Sequence, residues 1–97
     1  MLRQVTPTHV ESDTGFSLKS GPKDYWIYSE DKREIYVDTE TVHLGRDGWG
    51  DAIYLSCLPD CWQPPNNIYA ISDSKRQEIA ANIQDGLRFL GVKFRVE

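Results

Sequence analysis

The sequence has 97 residues and a net charge of −4, which indicate one small acidic domain over residues 1–97. A chain of this length buries roughly 60 to 65% of its unfolded surface, so a deep catalytic cleft is hard to form. No segment has the roughly 18 apolar residues of a membrane span, and the N-terminus has no apolar signal region. We therefore expect a soluble cytoplasmic protein with no membrane contact.

The negative charge is concentrated in the middle of the chain. Between Glu30 and Asp51 there are seven acids and three bases, and the other residues carry equal numbers of each sign. Such a run is typical of a solvated surface, and also of an acidic patch that attracts a basic partner. Nucleic-acid binding is disfavoured, because phosphate contacts need clustered Lys and Arg.

Alternating apolar and polar residues predict two short N-terminal strands, residues 6–12 and 15–20, joined by a turn at Glu11–Gly15. In the second strand Phe16 and Leu18 face the predicted core. Together with the segment that follows, these strands predict a meander.

The segment 25–38 has the strongest strand pattern in the chain and predicts a central β-hairpin. A two-residue turn at Asp31 and Lys32 brings apolar and aromatic residues together on one face, which we expect to be core. The pairs predicted there are Trp26 with Val37 and Tyr28 with Ile35. The other face carries Tyr25, Ile27, Ser29, Tyr36 and Asp38. Because Asp-Lys is not a usual sequence for this turn, a longer loop with shifted pairing stays open.

Two segments rich in Gly or Pro follow the hairpin. Residues 39–51 contain three glycines around Trp49 and predict a mobile loop, whereas residues 52–57 alternate and predict a strand. Residues 58–69 contain three prolines and Trp62, and we expect no regular structure there.

An apolar stripe with a period of 3.6 predicts one helix that begins after Ser72, and Gly91 fits the position after its last turn. The stripe consists of Ile79, Ile83, Leu87 and Leu90. Gly86 lies close to it and predicts a close approach to the sheet. Val92, Phe94 and Val96 then alternate as a final strand. The predicted fold class is α+β: a mostly antiparallel sheet packed against one C-terminal helix and followed by a last strand.

Candidate catalytic and metal-binding residues are few. His9 and His43 are the only histidines, and both are more typical of structural positions than of general bases. Cys57 and Cys61 with the two histidines are imaginable as four zinc ligands, but structural zinc sites usually use tightly spaced pairs. We expect reduced thiols, no metal, no cofactor and no catalytic residue, so the protein is predicted not to be an enzyme.

Several segments together resemble the small α+β immunity proteins of bacterial polymorphic toxin systems. The similarity lies in the segments 3–7, 16–19 and 89–92, the aromatic hairpin, Trp62 with Pro64 and Pro65, and the Ile71-Ser72 helix start with its stripe. Relatives of this kind often have Glu at the third helical position and Gly in the hairpin turn, where this chain has Lys75 and Asp31-Lys32. These differences concern capping and turn shape.

The resemblance implies a protein that binds a cognate toxin domain and blocks its active site or an essential surface. Exposed aromatic residues beside charge would carry the binding, and the acidic charge favours a basic partner such as a nuclease. The predicted partner-binding residues are Trp49, Trp62, Asp47, Asp51, Glu30, Asp31 and Glu34. The alternatives are that the tryptophans belong to the core, Trp62 as a cap beneath the prolines, and that the acids only keep the protein soluble. A monomer or a weak homodimer is expected. The alternatives are an adaptor or regulatory module that binds a peptide or small ligand on its sheet face, and a small zinc enzyme.

Overall fold

Seven strands and one long helix make up the fold, which a computed structural model describes for residues 1–97. The elements are β1 (Leu2–Thr6), β2 (His9–Ser12), β3 (Phe16–Ser20), β4 (Tyr25–Glu30), β5 (Arg33–His43), β6 (Trp49–Ile53), α1 (Asp73–Leu90) and β7 (Phe94–Val96). The strands form one sheet in chain order, antiparallel throughout except for the parallel pair β6 and β7. The predicted α+β fold with one C-terminal helix and a final strand is confirmed.

The central hairpin has the predicted register, with Trp26 opposite Val37 and Tyr28 opposite Ile35. Its turn residues Asp31 and Lys32 have φ angles of 53° and 63°. Two consecutive positive φ angles are what a two-residue turn of type I′ requires, because its twist matches that of the strands. Asp and Lys adopt this conformation here although glycine is the more common choice.

The N-terminal prediction was wrong in one place. Residues 6–12 do not form one strand; the chain folds back at Pro7 and Thr8, so that β1 and β2 pair with each other. Proline has no N–H to donate and fixes its own φ, which makes it suited to this corner. The next strand, Phe16–Ser20, agrees with its prediction.

The glycine-rich segment is not a mobile loop, contrary to prediction. β5 continues to His43 and pairs with β6, which begins at Trp49. Only a 3-10 turn at Gly45–Asp47 separates them, flanked by Gly45 and Gly48 with φ angles of 66° and 78°. The predicted strand 52–57 is also corrected, because β6 ends at Ile53 and Leu55–Cys57 is a second 3-10 turn.

The proline-rich segment has no regular element, as predicted, but it is closed on itself and attached to β5. A single bridge joins Cys61 to Ala70. The N–H of Gln63 donates to the carbonyl oxygen of Glu34 at 2.9 Å, and the Arg33 guanidinium lies 4.0 Å from the centre of the Tyr69 ring.

The helix covers the inner face of β1, β2 and β3. The Ser72 hydroxyl accepts the Lys75 N–H at its start, and Gly91 ends it with a φ of 74°. A Cβ on Gly86 would lie 3.0 Å from a methyl group of Leu18, which explains the glycine at this contact. The core consists of Val10, Phe16, Leu18, Trp26, Tyr28, Ile35, Val37, Ile53, Leu58, Trp62, Ile71, Ile79, Ile83 and Leu87.

Candidate functional site

The predicted partner-binding residues lie in two groups at opposite ends of β5. Asp47, Trp49 and Asp51 follow its C-terminal end at His43, and Glu30, Asp31 and Glu34 surround its N-terminal end at Arg33. Ten residue steps along a strand span roughly 33 Å. The structure therefore separates residues that were predicted to share one charged rim.

Trp62 is not on the surface. Only 5% of it is exposed, and it belongs to the core cluster beneath the proline-rich segment. Its proposed role as a surface anchor is corrected for this reason: its ring already packs inside the protein. The same segment instead exposes Ile68 (80%) and Tyr69, which the sequence interpretation did not select.

Trp49 has the opposite environment, since 68% of it is exposed. It is the first residue of β6 and pairs with His43 of β5. The two rings meet edge to face, with 5.3 Å between their centres. The Nδ1 atom of His43 also accepts the N–H of Gly45, so the imidazole is itself held by the turn. The indole is thus accessible and rests against a ring that the turn holds.

The residue after Trp49 must be small. A Cβ on Gly50 would lie 2.6 Å from the carbonyl oxygen of Lys93 and 2.3 Å from a methyl group of Leu44. The N–H of Asp51 donates to that same carbonyl at 3.0 Å. Gly50 therefore allows the chain entering β7 to pass directly against β6 and to fix the strand that carries Trp49.

A shallow depression of about 360 Å³ lies at this end of the sheet, lined by His43, Leu44, Gly45, Asp47, Phe94 and Arg95. The Asp47 side chain is exposed at its margin. Partial burial, and next the charge of Asp24, raise the pKa of Asp51. We call Trp49, His43, Asp47 and Asp51 the Trp49 surface.

The carboxylates that form ion pairs and those that form none lie mostly in different parts of the chain. Eight of the fifteen acidic side chains form ion pairs, most of them with β1, the helix or β7. The other seven form none, and all lie between residues 24 and 51: Asp24, Asp31, Glu34, Asp38, Glu40, Asp47 and Asp51. The acidic sector recognised in the sequence is therefore mostly unneutralised in the fold.

Glu30 is the exception within the acidic sector, because its carboxylate makes contacts that stabilise the fold. It pairs with Lys75 of the helix and accepts the Tyr28 hydroxyl at 2.6 Å. Asn82 donates to the same hydroxyl at 3.0 Å. Burial, together with the hydrogen bond to Glu30, raises the pKa of Tyr28 well above its usual range. These contacts attach the hairpin to the helix and occupy the Glu30 carboxylate.

The side of the central strands that faces away from the helix carries a second group of aromatic residues. The rings of Tyr25 and Tyr36 lie 4.9 Å apart, beside Ile27. The Tyr54 hydroxyl donates to Glu40 at 2.9 Å. Tyr25, Ile27 and Tyr36 were predicted for this face, and Tyr54 joins them because its N–H pairs with the Asp38 carbonyl.

Cysteine and histidine side chains are dispersed. Both Cys57 and Cys61 are free thiols, and His9 lies 3.7 Å from Glu11 at the other side of the sheet. No three His, Cys, Asp or Glu side chains are grouped closely enough to hold a metal ion. The single helix is neither long nor apolar enough to cross a membrane.

No protein-family model, curated protein or solved structure matches this chain. Function is therefore inferred from the chemistry of its exposed surfaces and from the resemblance described above.

Proposed function

We propose that this protein is an immunity protein that binds a cognate bacterial toxin domain and blocks its active site or an essential surface. The observation that carries the proposal is the exposed Trp49, which packs edge to face on His43 near carboxylates that have no ion-pair partner. The Trp49 surface would make the contact, and the protein itself would catalyse nothing.

A fixed tryptophan is well suited to this role. Trp is among the residues that most often dominate the energy of an interface, since its large ring fills a pocket on the partner. Because His43 and the turn already hold the Trp49 side chain, little conformational entropy remains to be lost on binding. An exposed tryptophan held in this way is better explained by a role in binding than by a role in keeping the surface soluble.

The charge pattern indicates the kind of partner. Asp47 and Asp51 form no ion pair in the free protein, although the Lys93 ammonium donates to the Asp47 backbone carbonyl at 3.0 Å. A Lys or Arg of the partner would therefore be the first ion-pair partner of these carboxylates. Complementary charge of this kind raises the association rate and selects among partners. A basic toxin domain, such as a nuclease, has the positive charge that these carboxylates would attract.

The decisive experiment is to test whether a toxin domain is encoded beside the gene, to co-express the chain with that domain and to measure their affinity by calorimetry. We expect Trp49→Ala, and separately the pair Asp47→Lys with Asp51→Lys, to weaken binding at least tenfold, about 1.4 kcal/mol. Phe89→Ala, which removes an exposed aromatic ring from the helix, is the matched control and should bind like the wild type. Unchanged affinity in both surface variants would refute the assignment of this surface.

The alternative function is a regulatory or adaptor module that binds a peptide or small ligand on its sheet face. One observation favours it, namely the packed tyrosines on the face that the helix does not cover. A gene neighbourhood without a toxin would support this alternative over immunity.

A further inference from the structure

The face of the sheet that points away from the helix is unusually aromatic. We define the outer face by Tyr25, Ile27, Ser29, Glu34, Tyr36, Asp38, Glu40 and Tyr54. The solvated face of an antiparallel sheet normally carries polar residues in alternation with the core residues. Here β4 and β5 place two tyrosines and an isoleucine on it, Tyr54 follows directly after β6, and 40% of Tyr36 is exposed.

These side chains are held in place before any ligand arrives. The Tyr25 ring lies over Gly21, where a Cβ would come within 2.4 Å of it, and packs on Tyr36 from the other side. The Tyr36 hydroxyl donates to Glu34 at 3.3 Å and the Tyr54 hydroxyl to Glu40 at 2.9 Å. The outer face is therefore a preorganised platform, whose own side chains lose less conformational entropy on binding.

The charge that β5 places on the outer face is entirely negative. Glu34, Asp38 and Glu40 follow one another on the outward side of β5, and none has an ion-pair partner. Two basic residues flank this face, each two strands from β5 in the register: Lys19 beside Ile27 and His9, and Arg95 beside Ala52, where it pairs with Glu97. The β5 margin of the platform thus offers carboxylates next to tyrosine rings, and both groups attract cations.

We propose that the outer face binds an extended, Lys- or Arg-bearing segment of a partner protein. Alternate side chains of an extended chain are roughly 6.6 Å apart, which matches the repeat of Asp38 and Glu40 along β5. The cations of such a segment would lie against these carboxylates and over the tyrosine rings, while the alternate apolar residues point away from the face. This assignment develops the alternative function and does not depend on the Trp49 surface.

The test uses the intact protein labelled with ¹⁵N and a short peptide of alternating Lys and Val. We expect shifts of the amides in residues 25–29 and 34–40, with a dissociation constant of about 1 mM or tighter. The variant Glu34→Gln, Asp38→Asn, Glu40→Gln keeps acceptors for both tyrosine hydroxyls and should bind at least tenfold more weakly. Added salt should weaken wild-type binding.

The matched control is Asp60→Asn, Glu78→Gln, Asp85→Asn, which changes the net charge equally on exposed side chains of the helix side. This control should bind the peptide with wild-type affinity, and so should Trp49→Ala. Failure of the outer-face inference can therefore be distinguished from failure of the toxin contact.

Four outcomes would overturn the inference. They are the absence of shifts on the outer face, equal weakening by both triple variants, equal binding of a Glu and Val peptide, and a dimer in sedimentation that Tyr36→Thr dissociates. The last result would assign the outer face to a second copy of this chain.

Discussion

The glycine-rich and proline-rich segments each present one tryptophan, but in opposite directions. Trp49 follows a glycine turn and is largely exposed, whereas Trp62 precedes two prolines and is buried. Both were predicted as surface anchors, because each lies between residues that interrupt regular structure. The comparison shows that a loop-like composition does not determine which way its aromatic residue points.

What distinguishes the two segments is how each is attached to the sheet. The proline-rich segment is closed by the Cys61–Ala70 bridge and hydrogen-bonded to Glu34, so it lies over the core and inserts Trp62. The glycine-rich segment instead joins β5 to β6 at the end of the sheet, where Trp49 contacts His43 and stays largely exposed. Attachment to the sheet, rather than local sequence, separates a structural tryptophan from an accessible one.

The sharpest test of this comparison is to truncate each tryptophan. Trp62→Ala should lower the free energy of unfolding by about 3–5 kcal/mol, because it leaves a cavity in the core. Trp49→Ala should change it by no more than about 0.5 kcal/mol, as is usual for exposed positions. Urea unfolding followed by circular dichroism measures both. Similar losses in the two variants would mean that Trp49 is also structural.

The second prediction concerns the glycine that positions Trp49. Gly50→Ala should destabilise the protein by about 1–3 kcal/mol, the usual range for overpacking, since the new methyl group meets the Lys93 carbonyl. Hydrogen exchange of the Asp51 amide, which donates to that carbonyl, should accelerate. Amides of the β4–β5 hairpin serve as the internal control. Unchanged exchange at Asp51 would show that the close approach is not required.

Most of the fold was predictable because its patterns are local. The hairpin 25–38 and the helix after Ser72 have clear periods of 2 and 3.6, and both are present as predicted. Two of the misread elements are those in which glycine or proline marks a tight turn inside a sheet. The Thr39–His43 part of β5 was hidden in this way, because the three glycines after it suggested a loop. The third misread element, residues 52–57, alternates like a strand but leaves the sheet after Ile53.

The candidate site was less predictable because it depends on distant contacts. The acidic sector is continuous in sequence, yet the 11 residues of β5 carry its members to opposite ends. Neutralisation of Glu30 by Lys75 joins residues 45 positions apart, and no local pattern indicates it. Tyr54 joins the outer face only because β6 pairs with β5.

A third, smaller effect is expected in the proline-rich segment. Tyr69→Leu keeps an apolar side chain but removes the ring beneath the Arg33 guanidinium, so the free energy of unfolding should fall by about 0.5–1 kcal/mol. Ile68→Ala, at the most exposed apolar position of this segment, should have no measurable effect on urea unfolding. If Tyr69→Leu also leaves the free energy of unfolding unchanged, the contact of Arg33 with the Tyr69 ring does not stabilise the segment.

The smallest effect is expected at Asp51, on the Trp49 surface. Its pKa is raised in the folded state, first by partial burial and then by Asp24, so ionisation of this carboxyl opposes folding. The folded and unfolded carboxyls are both protonated well below the ordinary pKa, and the stability cost appears as pH rises through the folded value. Asp51→Asn should therefore raise the melting temperature at pH 7 but not at pH 3.

The chemical shift of the Asp51 carboxyl carbon gives its titration midpoint directly, and Asp24→Asn should lower that midpoint without restoring it fully. An equal gain for Asp51→Asn at both pH values would attribute the effect to packing instead of charge. A gain confined to neutral pH would mean that the ionised Asp51 carboxylate, at this end of the sheet, lowers the free energy of unfolding. The proline-rich segment has no carboxylate of this kind. Relief of that cost by a partner's cation would then couple binding at the Trp49 surface to stability.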